Sequence, residues 1–293
     1  MTAIQSFPFF LYFFMIQWVC GCLLTSHAAK EEKSMLDLNN RTYIATFQQD
    51  AVSVAAEYGL GLEINHTCIS EDLDPENREA LTSAILRDIQ ACGGLTPLLH
   101  GPFTEIYPAA IDRRAREMAR MRLDEAYQVC LAAGAKRMIV HTGWLPFIYF
   151  KEWQAQKAAA FWEDFMKDKA PDFEILVENV LEDEPLMLAD FMSNITDPRI
   201  SLCLDVGHAN AAGTPDFPVE KWIYVLGGYI GHFHLHNNDG RRDSHSAFDQ
   251  GSIDMDIILS AAENRCRPDV TFTIEARDCR SCASWLRQRG YIR

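Results

Sequence analysis

From residue 41 to the end, the chain alternates between two hydrophobic patterns. Eight short runs rich in β-branched and apolar residues predict strands, and each is followed by a longer stretch whose periodicity predicts a helix. The predicted strands are Thr42–Phe47, Gly61–Ile64, Pro97–His100, Arg137–His141, Glu174–Glu178, Ile200–Asp205, Ile230–His236 and Val270–Glu275. The predicted helices are Ala51–Tyr58, Pro75–Cys92, Ala110–Ala133, Lys151–Lys169, Glu184–Met192, Val219–Leu226, Ile253–Asn264 and Cys279–Arg289.

This strict alternation limits the fold to very few arrangements. Strands separated by helices pair in parallel, and eight such units in about 250 residues are typical of a closed (β/α)8 barrel. A doubly wound open sheet is the competing arrangement, but it more often has five or six strands, and no Gly-x-Gly-x-x-Gly follows any predicted strand. No linker-like change of composition interrupts the pattern. We therefore predict an α/β fold, a single-domain TIM barrel over residues 35–293.

A hydrophobic extension, residues 1–34, precedes the alternating pattern. Pro8–Leu24 is almost wholly apolar, but it lies at the short limit for a membrane-spanning helix. Small residues would allow signal cleavage after Ala28, yet no Lys or Arg precedes the apolar run. We favour Met35 as the natural start and the extension as an over-long gene start, which predicts a cytoplasmic protein without stable membrane association. A genuine signal peptide over residues 1–28 would instead predict export.

The charge indicates the class of partner, and the cysteines indicate the redox compartment. There are 41 acidic against 27 basic residues, a net charge of −14. Nucleic-acid-binding proteins and proteins that bind anionic membranes usually carry an excess of Lys and Arg, so we expect a small molecule or a divalent metal instead. The nine cysteines are odd in number and irregularly spaced, which predicts free thiols in a reduced compartment.

Polar residues cluster where the predicted strands end. In such barrels the strand interiors are apolar and the carboxyl ends carry the chemistry. Strands three to eight each end in, or beside, a histidine, aspartate or glutamate. These residues are His100, His141, Glu178, Asp205, His208, His234, His236, Asp243, His245 and Glu275. One such residue alone is more often structural, but all these strand ends meet at one mouth, where crowded ionisable groups are costly unless paired or metal-bound. Carboxylates and imidazoles without cysteine suit Zn²⁺ or Mn²⁺.

Four stretches in this order resemble a known superfamily. They are HGPF at residues 100–103, EN at 178–179, DVGHAN at 205–210 and HFHLHNNDGRRDSH at 232–245. Over about residues 41–292, the chain resembles the xylose isomerase-like TIM barrels. This group comprises sugar isomerases and epimerases, inosose-type isomerases and dehydratases, and apurinic-site nucleases of the endonuclease IV type. The resemblance indicates the superfamily rather than one substrate.

The sugar-epimerase branch implies one metal ion, bound by Glu178, Asp205, His234 and Glu275. The implied reaction is proton transfer next to a carbonyl group through a metal-stabilised enediolate. Glu178 and Glu275 would flank the carbon, one removing a proton and the other returning one. His208 would hydrogen-bond a substrate oxygen.

The endonuclease branch implies three zinc ions and nine ligands, and matching residue types stand at all nine positions. They are His100, His141, Glu178, Asp205, His208, His234, Asp243, His245 and Glu275. The resemblance is therefore compatible with one, two or three bound metal ions. The net negative charge argues against DNA as the substrate. The aromatic loop after strand four, at residues 144–150, is typical of a wall that packs on a small ligand. Asp249-Gln250-Gly251 stands where the superfamily usually has Gly-Glu-Gly, so this stretch departs from the pattern of both branches.

Several further residues are candidates for substrate contact: His100, His141, Trp144, His236, Arg241 and Arg242. Either arginine could bind a phosphate, a carboxylate or a sugar hydroxyl, although a solvated loop pair fits the pattern equally well. We expect His232 to be buried and hydrogen-bonded, His236 to lie at the rim, and Glu63 to be structural.

The leading hypothesis is a metal-dependent isomerase or epimerase of a small sugar-like carbonyl compound. The alternatives are a zinc phosphodiesterase acting on abasic DNA and a lyase or dehydratase on the same scaffold. Barrels of this superfamily are often dimers or tetramers, so a homo-oligomer is compatible with the resemblance.

Overall fold

A computed structural model describes residues 36–93 and 95–293. In this part of the chain, eight parallel strands pair in chain order and the last pairs with the first, which closes the barrel. The strands are β1 Thr42–Ala45, β2 Gly61–Ile64, β3 Leu98–His100, β4 Arg137–His141, β5 Glu174–Glu178, β6 Ile200–Asp205, β7 Ile230–Leu235 and β8 Thr271–Ile274. The predicted fold class is confirmed, and the predicted extension at 1–34 lies outside the described residues.

Nine α-helices surround the barrel within the described residues. They are α1 Ala51–Tyr58, α2 Pro75–Cys92, α3 Arg113–Ala133, α4 Lys151–Met166, α5 Leu186–Ser193, α6 Val206–Ala212, α7 Val219–Leu226, α8 Met255–Arg265 and α9 Cys279–Gln288. Eight correspond to the predicted helices, and the short α6 was not predicted. The predicted start of α3 was early by three residues because Asp112 caps the helix, its carboxylate accepting the Arg114 backbone N–H at 2.7 Å.

The alternation of side chains along each strand places the polar residues inside the barrel. In β5, Leu176 belongs to a small apolar cluster within the barrel, whereas Ile175 and Val177 pack in the large core shared with the helices. Successive side chains point to opposite faces, so Glu178 lies on the same inner face as Leu176, one step nearer the mouth. The same periodicity in β6 stacks Asp205 above Cys203, which lies in the inner cluster. β5 and β6 therefore deliver their terminal carboxylates, Glu178 and Asp205, into the mouth.

The described residues also show the state of the cysteines and the character of the helices. All seven cysteines among the described residues are free thiols, as predicted for these positions, and the Cys279–Cys282 pair is buried in the core. Within residues 36–93 and 95–293, no helix combines the length and apolar character needed to cross a bilayer.

Candidate metal and substrate site

His234 lies at the centre of the polar cluster in the barrel mouth. Its Nδ1 is 3.3 Å from Glu178 Oε1, 3.6 Å from Asp205 Oδ2 and 3.4 Å from Glu275 Oε2. All four side chains are buried. On the opposite edge of the ring, His234 Nε2 is 3.1 Å from Glu63 Oε2. The ends of β5, β6 and β7 and the residue after β8 thus bring one imidazole and three carboxylates together.

This cluster fits a divalent cation. His234 Nδ1 is buried and has no hydrogen-bond partner among the described residues, although it faces three carboxylates. Four ligands about 2.0–2.2 Å from a tetrahedral ion lie about 3.3–3.6 Å from one another, which is the spacing seen around Nδ1. Nitrogen and oxygen donors of this kind suit Zn²⁺ or Mn²⁺. The predicted set of Glu178, Asp205, His234 and Glu275 is therefore brought together in a geometry that could hold one ion.

A second group of donors adjoins the first through Glu178. Its Oε2 lies 3.1 Å from His100 Nε2 and 3.5 Å from His141 Nε2. A ligand atom from each of the three side chains lies within 4.8 Å of the others. The phenyl ring of Phe103 stacks on His141, with ring centroids 4.5 Å apart, so this side of the site is walled by an aromatic residue.

A third group of donors comprises four side chains on the other side of the mouth, His208, His236, Asp243 and His245. Asp243 Oδ2 is 3.4 Å from His208 Nε2 and 3.0 Å from His245 Nε2. His245 has a left-handed backbone, with φ of 48°, which is strained for a residue other than glycine. Such strain is typical of functional positions that the surrounding structure holds in place. All nine positions implied by the endonuclease resemblance therefore converge on one mouth.

The charged groups in the mouth alter one another's pKa values. Burial opposes ionisation of Glu178, but the positive charges of His234 and His141 and hydrogen bonds from His100 and His208 hold its pKa well below the usual range. Burial raises the pKa of Glu275, and neighbouring carboxylates including Glu178 add to that effect. The two glutamates beside His234 therefore differ in their readiness to take up a proton, as acid–base pairs in active sites often do.

A cavity of about 800 Å³ opens directly above these donors. His100, His141, Glu178, His208 and Glu275 reach its floor and sides. Aromatic side chains stand on two walls, Phe103 beside His141 and Phe47 beside His245. Among the described lining residues, Arg277 is the one arginine or lysine. The cavity thus combines a polar floor with partly apolar walls.

The sequence profile of the "xylose isomerase-like TIM barrel" family matches residues 52–288. The chain belongs to this family. The match spans all the donors described above, from His100 to Glu275.

Three other proteins are similar to this chain in sequence or in structure. An uncharacterized protein of Methanocaldococcus jannaschii is 28% identical over 173 residues, which cover 55% of this chain and 58% of that protein. A probable endonuclease 4 of Mycobacterium leprae is 24% identical over 212 residues, covering 69% of this chain and 82% of that protein. The crystal structure of a D-tagatose 3-epimerase-like protein has a TM-score of 0.66 at 19% identity, covering 85% and 96% of the two chains. The structural likeness shows the shared fold.

Four of the predicted substrate contacts do not line the cavity. Trp144 is buried in the hydrophobic core, where its indole N–H points to the Tyr149 carbonyl. His236 is fully buried, so the prediction of a rim position was wrong. Its Nε2 lies 3.0 Å from Asp205 Oδ1, which explains why the ring is drawn inward. Arg241 and Arg242 are exposed and do not line the cavity.

Other residues acquire a role only from the structure. Phe47, Phe103 and Arg277 line the cavity, yet only the short HGPF motif pointed to one of them. His232 is buried and lies 2.7 and 2.9 Å from two threonine hydroxyls, which confirms the prediction for it. Glu63 is fully buried behind His234. A glutamate in the otherwise apolar strand β2 is the signal that could have pointed to its place near the site.

Proposed function

We propose that this protein is a divalent-metal-dependent isomerase or epimerase of a small sugar or related polyhydroxy carbonyl compound. The observation that carries the proposal is the cavity of about 800 Å³ above the four donors around His234 Nδ1. This volume lies within the range of about 300–1,000 Å³ that is usual for small-molecule sites. The aromatic walls would pack against the apolar face of a sugar-like ligand.

Glu178, Asp205, His234 and Glu275 would hold the ion, Mn²⁺ or Zn²⁺. When bound, the ion would polarise the carbonyl and hydroxyl oxygens of the substrate and so acidify the C–H bond between them. The side chains of the protein would remove and return the proton. The product would differ from the substrate either in which of two neighbouring carbons bears the carbonyl group or in the configuration of one carbon next to it.

Three side chains have environments that suit this proton transfer. Glu275, whose pKa is raised by burial, would exchange a proton with the substrate carbon from one side. Glu178, which His100 and His208 hold by hydrogen bonds, would act from the other side. His208 Nδ1 lies 3.2 Å from Glu178 Oε1, and the ring lines the cavity, where it would donate a hydrogen bond to the enediolate oxygen.

A zinc phosphodiesterase acting on abasic DNA is the second candidate. The three adjoining donor groups favour it, since three ions would each find at least three ligand atoms from His, Asp or Glu. The match to a probable endonuclease 4 also supports this reading. The shortage of Arg and Lys around the cavity is the observation that places it second.

Solvent isotope exchange tests the first candidate. The metal-reconstituted protein would be incubated in deuterium oxide with ketoses, ketose phosphates and inososes. We expect deuterium to enter next to the carbonyl of at least one compound. Glu275→Gln should slow this exchange by about 10²–10⁴-fold, the usual contribution of a general acid or base. Glu79→Gln, at an exposed position of α2, should leave it unchanged.

The other outcomes are also informative. Loss of water from the substrate would identify a lyase or dehydratase. Absence of exchange with every compound, together with incision of an abasic oligonucleotide and three zinc ions per chain, would overturn the first candidate in favour of the second.

A further inference from the structure

The interior of the barrel below the mouth contains a carboxylate whose ion-pair partners, among the described residues, are two histidines and no lysine or arginine. Glu63, the third of the four residues of β2, is fully buried. Its Oε2 is 3.1 Å from His234 Nε2 and 3.6 Å from His232 Nε2, and its Oε1 has no hydrogen-bond partner among the described residues. Isolated buried carboxylates are costly, and barrel interiors of this type are usually filled by Val, Ile and Leu. The position therefore requires an explanation beyond packing.

The His234 ring joins Glu63 to the proposed metal ligands. A neutral imidazole carries one N–H donor and one lone pair, and a carboxylate can only accept. Glu63 therefore selects the form of His234 that carries the proton on Nε2. The lone pair is then on Nδ1, which faces Glu178, Asp205 and Glu275 at 3.3–3.6 Å. A lone pair directed at three carboxylates is repelled by them unless a cation lies between.

We propose that Glu63 is a positioning residue that fixes the Nε2–H tautomer of His234 and thereby sets the affinity for the metal. The inference rests on the metal site of the proposed function, but it does not depend on which reaction occurs there. Carboxylates that orient a ligating histidine typically change metal affinity by about 10–100-fold when they are removed.

A second buried imidazole, that of His232, lies beside Glu63. Its Nδ1 lies 2.7 Å from Thr271 Oγ1, and its Nε2 lies 2.9 Å from Thr273 Oγ1 as well as facing Glu63. Both threonines are buried on the strand next to β7. Glu63 thus lies between His234 and a buried hydrogen-bonded group formed by His232 and the two threonines.

Metal affinity measured on metal-free protein tests this role. Zn²⁺ and Mn²⁺ would be titrated by calorimetry, with a competing chelator where binding is tight. We expect Glu63→Gln to bind each ion about 10–100-fold more weakly than the original protein. The rise in melting temperature on adding metal should shrink accordingly, whereas the melting temperature without metal should change little.

Two further variants make the outcome specific. Glu182→Gln removes another fully buried carboxylate, one that binds the Thr142 hydroxyl and the Val180 N–H rather than His234, and it should bind metal normally. Glu63→Asp keeps the negative charge but has a shorter side chain, so we expect its loss of metal affinity to be smaller than that of Glu63→Gln. This variant also provides the measurement if Glu63→Gln fails to fold.

Specific results would overturn the inference. If Glu63→Gln, or in its place Glu63→Asp, binds both ions within twofold of the original protein, Glu63 does not position His234. If Glu182→Gln loses as much metal affinity as Glu63→Gln, the effect comes from replacing any buried carboxylate and not from the contact with His234. Normal metal binding by the original protein without isotope exchange would reject the proposed reaction and leave this inference standing, whereas absence of metal binding would reject both.

Discussion

At the scale of single residues, His245 has the clearest electrostatic environment in the site. Its Nε2 lies 3.0 Å from Asp243 Oδ2, and its Nδ1 lies 2.7 Å from the Glu275 carbonyl oxygen. Burial alone would lower its pKa, but the hydrogen bond to Asp243 and the charges of Glu275 and Asp205 raise the pKa to about 9. In the metal-free protein, this imidazole therefore holds its proton more tightly than it does in the unfolded chain.

This difference predicts a pH-dependent stability of the metal-free protein. A histidine whose folded pKa is raised contributes stability that is fully present below pH 6.5 or so and is lost as the pH rises through about 9. We expect the free energy of unfolding, measured by urea titration with EDTA, to fall between these two pH values. His245→Asn should make the fall shallower, and asparagine tolerates the left-handed backbone at this position.

Bound metal should reverse the trend, because ligating histidines must lose their protons and metal affinity then rises with pH. Identical pH profiles for the original protein and His245→Asn, both without metal, would contradict the assignment of the raised pKa.

The donors could be predicted from the sequence, whereas the cavity walls could not. Glu178 and Asp205 end strands, so the fold alone determines where their side chains point. Trp144 and Phe147 share one aromatic loop, but the first is buried in the core and the second is fully exposed. The path of a loop decides such placements, and the pattern of aromatic residues does not encode it.

At the scale of elements, the corner between β6 and α6 positions three histidines. Asp205 is both the last residue of β6 and the N-cap of α6, where its Oδ1 accepts the His208 N–H at 2.6 Å. Its other oxygen faces His234. Gly207, in the first turn of α6, packs against the ring of His236. A helix of seven residues containing glycine and asparagine has weak intrinsic propensity, which is why it escaped prediction.

The close approach at Gly207 can be tested by adding one methyl group. A Cβ at this position would lie 1.9 Å from His236 Cε1, and that ring is already stacked on His245 with centroids 4.0 Å apart. We expect Gly207→Ala to destabilise the protein by about 1–3 kcal/mol, as overpacking usually does, and to weaken metal binding by displacing the imidazoles. Urea unfolding and metal titration measure the two effects.

Gly228→Ala is the matched control, because a Cβ at Gly228 would meet no atom within 4 Å. A cost at Gly207 no larger than at Gly228 would show that α6 can shift away from β7, so that the corner does not fix the site.

At the scale of the whole molecule, the alternation of eight strands and helices was sufficient to predict the closed barrel. Its closure follows from the number of parallel strands and needs no particular side chain. The preference for a small sugar-like substrate over DNA, which we propose, rests instead on the charge around the mouth. The net charge of the chain is −14. Among the described residues that line the cavity are four carboxylates, on Asp72, Asp243, Glu178 and Glu275, and one guanidinium, that of Arg277, besides the imidazoles of the site.

This distribution of charge predicts poor binding of DNA. We expect an abasic duplex to bind no more tightly than non-specific contacts, about 10⁻⁴–10⁻⁶ M, and to resist incision by the zinc-loaded protein. A nuclease making six to ten phosphate contacts would instead lose about 10³–10⁵ in affinity between roughly 50 and 200 mM salt. Fluorescence anisotropy at the two salt concentrations, with gel analysis of incision, separates these outcomes. Tight, salt-sensitive binding with incision that Asp243→Asn abolishes would mean that the metal ions, rather than basic side chains, neutralise the phosphates.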